Sequence, residues 1–92
     1  MSIPVGLSSA CLMPAGVENT FALAARLGYD GVEVMVWSER ATQDFRLLSA
    51  LAERYGQPVL AVHAPTLLLT RGVFGPDPWD KVDRSIELAF AL

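Results

Sequence analysis

The chain has 92 residues, a net charge of −3 and a hydrophobic content of 52%. This length allows one domain at most, and the composition is unlike that of disordered chains, which combine low hydrophobicity with high charge. The mild acidity disfavours nucleic acid as a main partner, because no basic stripe is present to neutralise phosphates. No apolar run reaches the roughly 18 residues of a membrane helix, and the single cysteine, Cys11, excludes an internal disulfide. We therefore expect a globular, cytoplasmic protein without a membrane segment.

The first third of the chain predicts a strand, a loop and a helix. Residues 3–9 alternate between apolar and small side chains, which is typical of a strand, and Pro and Gly punctuate a loop over 10–16. A helical pattern over 17–27 ends at Gly28, which suits a left-handed C-terminal cap. Its expected inward side chains are Phe21, Ala24, Ala25 and Leu27.

The middle of the chain predicts a second strand and a second helix. Residues 32–36 alternate with valine on one face, and the connection that begins at Trp37 leads to Thr42 as a plausible N-cap. The helix then covers 43–55 and ends at Gly56. Its expected inward side chains are Phe45, Leu48, Leu51, Ala52 and Tyr55.

The last third predicts a third strand over 58–63, a long loop over 64–78 and a final helix. A loop of this length suggests a binding loop or lid. Asp77 and Pro78 are typical of a helix start, and the helix runs to Leu92. Its expected inward side chains are Val82, Ile86 and Ala89.

The order β-α-β-α-β-α at this spacing predicts parallel strands joined by helical crossovers. A doubly wound sheet and a slice of a (β/α)8 barrel both have this order. Strands of a doubly wound sheet are apolar on both faces, whereas small and polar residues on one face fit a barrel interior. The residues expected on that second face are Gly6, Ser8, Glu33, Met35, Ala61 and His63. We therefore favour an α/β chain whose residues 1–92 form the N-terminal three βα units of a barrel, with exposed edges that favour self-association.

Two ionisable residues stand out on the expected second face. His63, the only histidine, ends the third strand, where parallel α/β folds place ligands. It could bind a metal, hydrogen-bond a sugar hydroxyl or act as an acid or base, and a purely structural histidine is equally compatible. Glu33 on the neighbouring strand could orient the imidazole or bind a hydroxyl, or pair with a basic residue elsewhere.

Three further residues are candidates for substrate binding. Ser8 lies at the end of the first strand, on the same expected face as Glu33. Trp37 could stack on a sugar or serve as a packing anchor. Arg71, in the long loop, could bind a phosphate or acidic sugar or remain a solvated surface residue.

Residues 27–34 (Leu-Gly-Tyr-Asp-Gly-Val-Glu-Val) and 58–65 (Pro-Val-Leu-Ala-Val-His-Ala-Pro) resemble the sugar phosphate isomerase/epimerase family. That family consists of xylose-isomerase-like barrels and is related to endonuclease IV. The resemblance implies a sugar or sugar phosphate substrate and a divalent metal (Mn, Mg, Co or Zn). It also implies metal ligands and catalytic carboxylates on strands later than Leu92. In the endonuclease IV branch the histidine that matches His63 binds zinc, although Thr66 replaces the tyrosine that commonly follows.

Three hypotheses follow. The chain is part of a metal-dependent sugar or sugar-phosphate isomerase or epimerase, with these 92 residues inactive alone. Alternatively it belongs to a phosphodiesterase of the endonuclease IV kind, which should carry basic loops and more histidines than this chain has. The third possibility is a non-catalytic partial barrel that self-associates through its exposed sheet.

Overall fold

The computed structural model describes residues 2–65 and 73–92, and over these ranges the fold is α/β. Strands and helices alternate along the chain: β1 (Gly6–Ser8), α1 (Val17–Leu27), β2 (Gly31–Met35), α2 (Phe45–Tyr55), β3 (Val59–His63) and α3 (Pro78–Ala91). The sheet has the order β1-β2-β3, and both neighbouring pairs are parallel. This confirms the predicted order of elements and the predicted strand direction. None of the helices in the described ranges combines the length and the apolarity needed to cross a membrane.

The helix ends agree best with the sequence patterns. Gly28 and Gly56 both adopt the left-handed conformation, with φ of 81° and 63°, and end α1 and α2. Their backbone N–H groups donate to carbonyls of the last helical turn, which would otherwise lack a partner. At the start of α3, the Asp77 side chain accepts from the N–H of Trp79, and Pro78 occupies the first turn. These predicted boundaries are confirmed.

The start of α2 differs from the prediction. A 3-10 turn, Arg40–Gln43, precedes the helix, and the N-cap is Asp44 instead of Thr42. The Asp44 carboxylate accepts from the N–H groups of Arg46 and Leu47, at 2.9 and 3.4 Å. Thr42 is buried, and its hydroxyl donates to the Glu39 carbonyl at 2.7 Å. The threonine therefore closes the turn, and the stronger acceptor caps the helix.

The core lies between the helices and one face of the sheet. Its buried members are Val17, Phe21, Ala24, Val32, Val34, Val36, Leu48, Val73 and Leu88. In α1 and α2, three side chains that the helical pattern placed inward are exposed instead: Ala25, Leu27 and Phe45. Each lies at an end of its helix or beside the buried stripe, where the sheet no longer covers the helix.

The buried face of α3 is the largest departure from the predicted pattern. Lys81, Ser85 and Leu88 are buried, whereas Val82, Ile86 and Ala89 are exposed. The Lys81 ammonium donates to the carbonyls of Val73 and Gly75, at 2.6 and 2.9 Å. Charged hydrogen bonds of this kind offset the cost of burying the ammonium group. The contact with the preceding loop therefore rotates α3 away from the orientation that hydrophobicity alone predicts.

The first strand is shorter than predicted. Pairing with β2 begins at Gly6, which is opposite Gly31, and Ile3 and Val5 are exposed. Before that point Val5 bonds to a turn residue, because its N–H donates to the Asp30 carboxylate at 2.7 Å. Its carbonyl accepts from the N–H of Asp30 at 2.9 Å. The predicted loop after β1 also contains a 3-10 turn, Ser9–Leu12.

Candidate functional site

The sheet face opposite the helices carries the predicted site residues, and we call it the open face. In the parallel register, Ser8 is opposite Glu33, Glu33 is opposite Ala61, and Met35 is opposite His63. Side chains of paired residues point to the same side of a sheet, and alternate residues share a face. Ser8, Glu33 and His63 therefore project to the open face, near the carboxyl ends of all three strands.

Leu60 lies on the open face, although strict alternation placed it toward the helices. The register between β2 and β3 shifts between Val32 and Glu33. A β-carbon built on Gly31 would lie 2.6 Å from Leu60 Cγ, and one built on Gly6 would lie 3.2 Å from Leu60 Cδ1. Leu60 therefore covers two glycines at the amino-terminal end of the open face. An irregularity of this kind shifts the alternation by one residue, and the sequence pattern does not signal it.

Ser8 and Glu33 form a hydrogen-bonded pair. The Ser8 hydroxyl lies 2.8 Å from Glu33 Oε1, and it accepts from the N–H of Ala10 at 3.2 Å. Because a carboxylate only accepts hydrogen bonds, the serine hydroxyl donates to Glu33. Both side chains are half-buried. The Ser8 hydroxyl bonds to one carboxylate oxygen of Glu33, so that the other oxygen, Oε2, would accept a hydrogen bond from a ligand.

Ser9 supports the same end of β2, and the sequence analysis did not identify it. Its hydroxyl accepts from the backbone N–H of Met35 at 2.8 Å, and the side chain is buried. The contact anchors the 3-10 turn after β1 over the last residue of β2. The signal that the sequence offers for this role is a serine directly after a predicted strand.

The His63 ring has one nitrogen committed to the backbone. Nδ1 lies 2.8 Å from the Ala64 carbonyl oxygen, and the side chain is exposed. Since a carbonyl oxygen only accepts, Nδ1 carries the hydrogen in this contact. In the neutral ring with this tautomer, Nε2 has the lone pair that a metal ion requires.

Glu33 is not the direct neighbour of His63 on the sheet. Met35 is opposite His63, and Glu33 precedes Met35 by two residues, which is about 6.6 Å along a strand. The carboxylate and the imidazole therefore occupy diagonal positions on the open face. Within residues 2–65 and 73–92, no cluster of three or more His, Cys, Asp or Glu side chains could hold a metal ion.

Of the other two candidate binding residues, Trp37 and Arg71, the structure describes only Trp37. Trp37 is half-buried just beyond β2, at the same end of the sheet as His63. Its N–H donates to the Thr42 hydroxyl at 3.1 Å, and its carbonyl accepts from the Gln43 amide at 2.9 Å. The backbone of Trp37 is thus held in place at the rim of the open face. Arg71 lies outside the residues that the structure describes.

Glu39 has an unexpected role at this end of the fold. Gly16, the N-cap of α1, has no side chain to accept a hydrogen bond. Both carboxylate oxygens of Glu39 instead accept from the N–H of Val17, at 2.9 and 3.2 Å. A negative charge at a helix N-terminus is favourable for the helix dipole. Gly16 at the start of the predicted helix indicates that α1 lacks a capping side chain of its own. The sequence does not indicate that Glu39, 22 residues after Val17, provides the hydrogen-bond acceptor.

A groove of about 490 Å³ lies on the helix side, between the start of α2 and α3. Its lining residues are Arg40, Gln43, Asp44, Phe45, Phe74, Arg84, Glu87, Leu88 and Ala91. Ser8, Glu33, Trp37 and His63 are not among these described lining residues, which include acidic and basic side chains in equal number. The open face remains the better candidate, because it lies at the strand ends where parallel α/β folds bind ligands.

Comparison with known proteins identified relatives that carry no assigned activity. Uncharacterized proteins of Mycobacterium leprae and Mycobacterium tuberculosis are 49% and 50% identical to this chain, over 90 and 91 residues. A Mycobacterium bovis protein is also 50% identical. These alignments cover 98–99% of this chain and 32% of each relative, so the chain spans about a third of their length. No family model matches the chain. No solved structure matches it either.

Proposed function

We propose that residues 1–92 are the N-terminal three βα units of a (β/α)8 barrel that acts as a metal-dependent sugar or sugar-phosphate isomerase or epimerase. The observation that carries the proposal is the open face, where Ser8, Glu33 and His63 project near the carboxyl ends of three parallel strands. Barrel enzymes of this architecture have their active sites at that end. The mycobacterial relatives are about three times as long as this chain, which is compatible with a complete barrel.

The open face suits the recognition of a polyhydroxylated ligand. Glu33, with one oxygen held by Ser8, would accept a hydrogen bond from a sugar hydroxyl through its other oxygen. Trp37 at the rim would stack on the apolar face of the sugar ring. Arg71, which follows β3 in the sequence, would bind a phosphate or carboxylate of the substrate.

His63 fits the requirements of a metal ligand. Its Nδ1 is committed to the Ala64 carbonyl, so that Nε2 would ligate a divalent cation such as Mn, Mg, Co or Zn. Such an ion would polarise a carbonyl or hydroxyl of the sugar. The remaining ligands and the carboxylates that transfer the proton would come from outside these 92 residues. An exposed, unpaired thiol at Cys11 supports a reducing, cytoplasmic location for this activity.

Metal mapping by NMR tests the role of His63 in this chain. A paramagnetic Mn²⁺ ion bound weakly at His63 should broaden the amide signals of residues 8–10, 33–37 and 63–65 at millimolar concentration. We expect His63→Ala to abolish this local broadening and Glu53→Gln, an exposed control on α2, to leave it unchanged. Broadening that is equal in wild type and His63→Ala would contradict the assignment.

Activity is best measured on the full-length Mycobacterium tuberculosis relative, since we expect the 92 residues alone to have no turnover. Assays with Mn²⁺, Mg²⁺, Co²⁺ or Zn²⁺ should detect interconversion on a panel of aldoses, ketoses and their phosphates. Replacing the residue that aligns with His63 by alanine should lower turnover at least tenfold. Cleavage of abasic DNA in place of sugar isomerisation would overturn the proposal in favour of a nuclease.

A further inference from the structure

The loop that follows β2 is bonded to the start of α1 by one side chain. We call residues 37–44 the rim loop, because Trp37 lies at the rim of the open face. Both carboxylate oxygens of Glu39 accept from the N–H of Val17, at 2.9 and 3.2 Å, and the Glu39 side chain is half-buried. This contact joins two connecting segments that β2 separates in the chain.

Gly16 leaves the space that this carboxylate occupies. The backbone at Gly16 has φ of −65° and ψ of 154°, a conformation that other residues adopt without strain. The backbone itself therefore does not require a glycine here. A β-carbon built on Gly16 would lie 3.0 Å from Glu39 Oε2, which is closer than an ordinary van der Waals contact. The glycine and the glutamate thus fit each other across the two segments.

The rim loop connects this contact to Trp37. The Glu39 carbonyl accepts from the N–H and from the hydroxyl of Thr42, at 3.1 and 2.7 Å. The same hydroxyl accepts from the N–H of Trp37 at 3.1 Å, and Thr42 is fully buried. The Gln43 amide donates to the Trp37 carbonyl at 2.9 Å. Glu39 and Trp37 are therefore bonded to the same buried threonine.

The strand end that carries His63 is bonded to the residue before Trp37. The N–H of Val36 donates to the carbonyl of His63 at 2.9 Å. A series of hydrogen bonds thus leads from the start of α1 through the rim loop to the end of β3. Hydrogen-bond networks with buried and fully paired members favour a single rigid arrangement.

We propose that Glu39 is a positioning residue of the open face. Its carboxylate holds the rim loop against the start of α1 and thereby fixes the place of Trp37 at the rim. Glu39 acts through Trp37 and not by contact with a ligand. The coupling between Glu39 and Trp37 depends on the hydrogen bonds alone, whereas its consequence for sugar binding rests on the proposed function.

Tryptophan fluorescence of the 92-residue chain measures the environment of Trp37. The chain has two tryptophans, and Trp79 is 74% exposed, so Trp79→Phe leaves one reporter with little effect on the fold. In that background, Glu39→Ala should raise the acrylamide quenching constant of Trp37 about twofold, because the half-buried ring gains access to solvent. Glu53→Ala removes a carboxylate from an exposed site on α2 and should leave this constant unchanged.

Amide hydrogen exchange separates positioning from helix capping. Loss of the cap alone would accelerate exchange at Val17, whereas a positioning role requires faster exchange at Trp37 as well. We expect Glu39→Ala to accelerate exchange at both amides by about tenfold. Glu39→Gln retains a side-chain oxygen that accepts hydrogen bonds, and it should restore most of the protection at both amides.

Gly16→Ala tests the same contact from the side of α1. Alanine adopts the backbone conformation of Gly16, but its β-carbon would displace the carboxylate of Glu39. The quenching of Trp37 should therefore change in the same direction as in Glu39→Ala. Far-UV circular dichroism checks that each variant is folded.

Two results would overturn the proposal. One is faster exchange at Val17 in Glu39→Ala while exchange and quenching at Trp37 stay as in wild type. The other is a wild-type chain in which Trp37 is quenched as strongly as the exposed Trp79, measured in a Trp37→Phe background. Neither measurement involves a sugar or a metal, so a negative result leaves the proposed isomerase activity standing, and an inactive enzyme leaves this coupling standing.

Discussion

β2 and β3 are strands of equal length and similar composition, yet their environments differ. Four of the five residues of β2 are buried, whereas none of the five residues of β3 is. Among the described residues, β2 pairs on both sides and β3 pairs on one, which explains the contrast. Within this part of the chain, the position of a strand in the sheet, more than its own hydrophobicity, determines which valines are buried.

Gly31→Ala should have the largest effect on stability. A β-carbon at Gly31 would lie 2.5 Å from the Pro58 carbonyl oxygen, and a backbone atom cannot move aside as a side chain can. We expect a loss of about 3 kcal/mol in the free energy of unfolding, measured by urea denaturation. Gly6→Ala is the matched control on the edge strand β1, where the nearest atom is the flexible Leu60 Cδ1 at 3.2 Å. It should cost less than about 1 kcal/mol, and equal losses would contradict the comparison.

Shortening one valine in each strand should have a smaller effect. Val34 is fully buried in β2, and its partner Val62 in β3 is partly exposed. Val34→Ala removes buried methyl groups and leaves a cavity, so we expect it to cost about 2 kcal/mol. Val62→Ala should cost about 1 kcal/mol or less, since water reaches part of the side chain. Thermal unfolding of the two variants measures the difference, and a larger loss at Val62 would show that β3 is covered in solution.

The smallest effect on stability is expected at the contact between α1 and α2, on the helix side of the sheet. The Tyr55 hydroxyl donates to the Glu18 carboxylate at 2.7 Å. This hydrogen bond and the nearby negative charge raise the pKa of Tyr55 above its ordinary value, while the adjacent Arg54 partly opposes the shift. The contribution of this contact to the stability of the folded state is therefore fully present below the ordinary tyrosine pKa. It is lost as the pH rises through the raised pKa of Tyr55 in the folded state.

Absorbance titration at alkaline pH measures this shift. In a Tyr29→Phe background, Tyr55 is the only tyrosine that titrates. Glu18→Gln should lower the pKa of Tyr55, because it removes the charge that disfavours the phenolate. An unchanged midpoint would show that the contact is not formed in solution.

Local sequence signals were sufficient for most helix ends. Helix ends were predicted correctly at Gly28, Gly56 and the Asp77-Pro78 pair, because the chemistry of a helix end depends on a few adjacent residues. The orientation of α3 could not be predicted in this way. It depends on hydrogen bonds from Lys81 to the carbonyls of a preceding loop, and helical periodicity contains no information about that contact.

The candidate site was predictable in part. Alternation along the strands places Ser8, Glu33 and His63 on one face, and the parallel register agrees. Alternation failed at Leu60, because the register shift next to Val32 has no signature in the pattern of hydrophobic residues. The support from Ser9 to β2 was also missed, since it links residues 26 positions apart.

The carboxylate of Glu39 at the start of α1 has a consequence for the order of assembly. Because the acceptor for Val17 belongs to the segment after β2, a nascent chain that ends before Glu39 cannot complete the first turn of α1 in its final form. The amino-terminal βα unit therefore takes the acceptor for the start of its helix from the unit that follows it. The cap of α1 is complete only when the segment after β2 is in place.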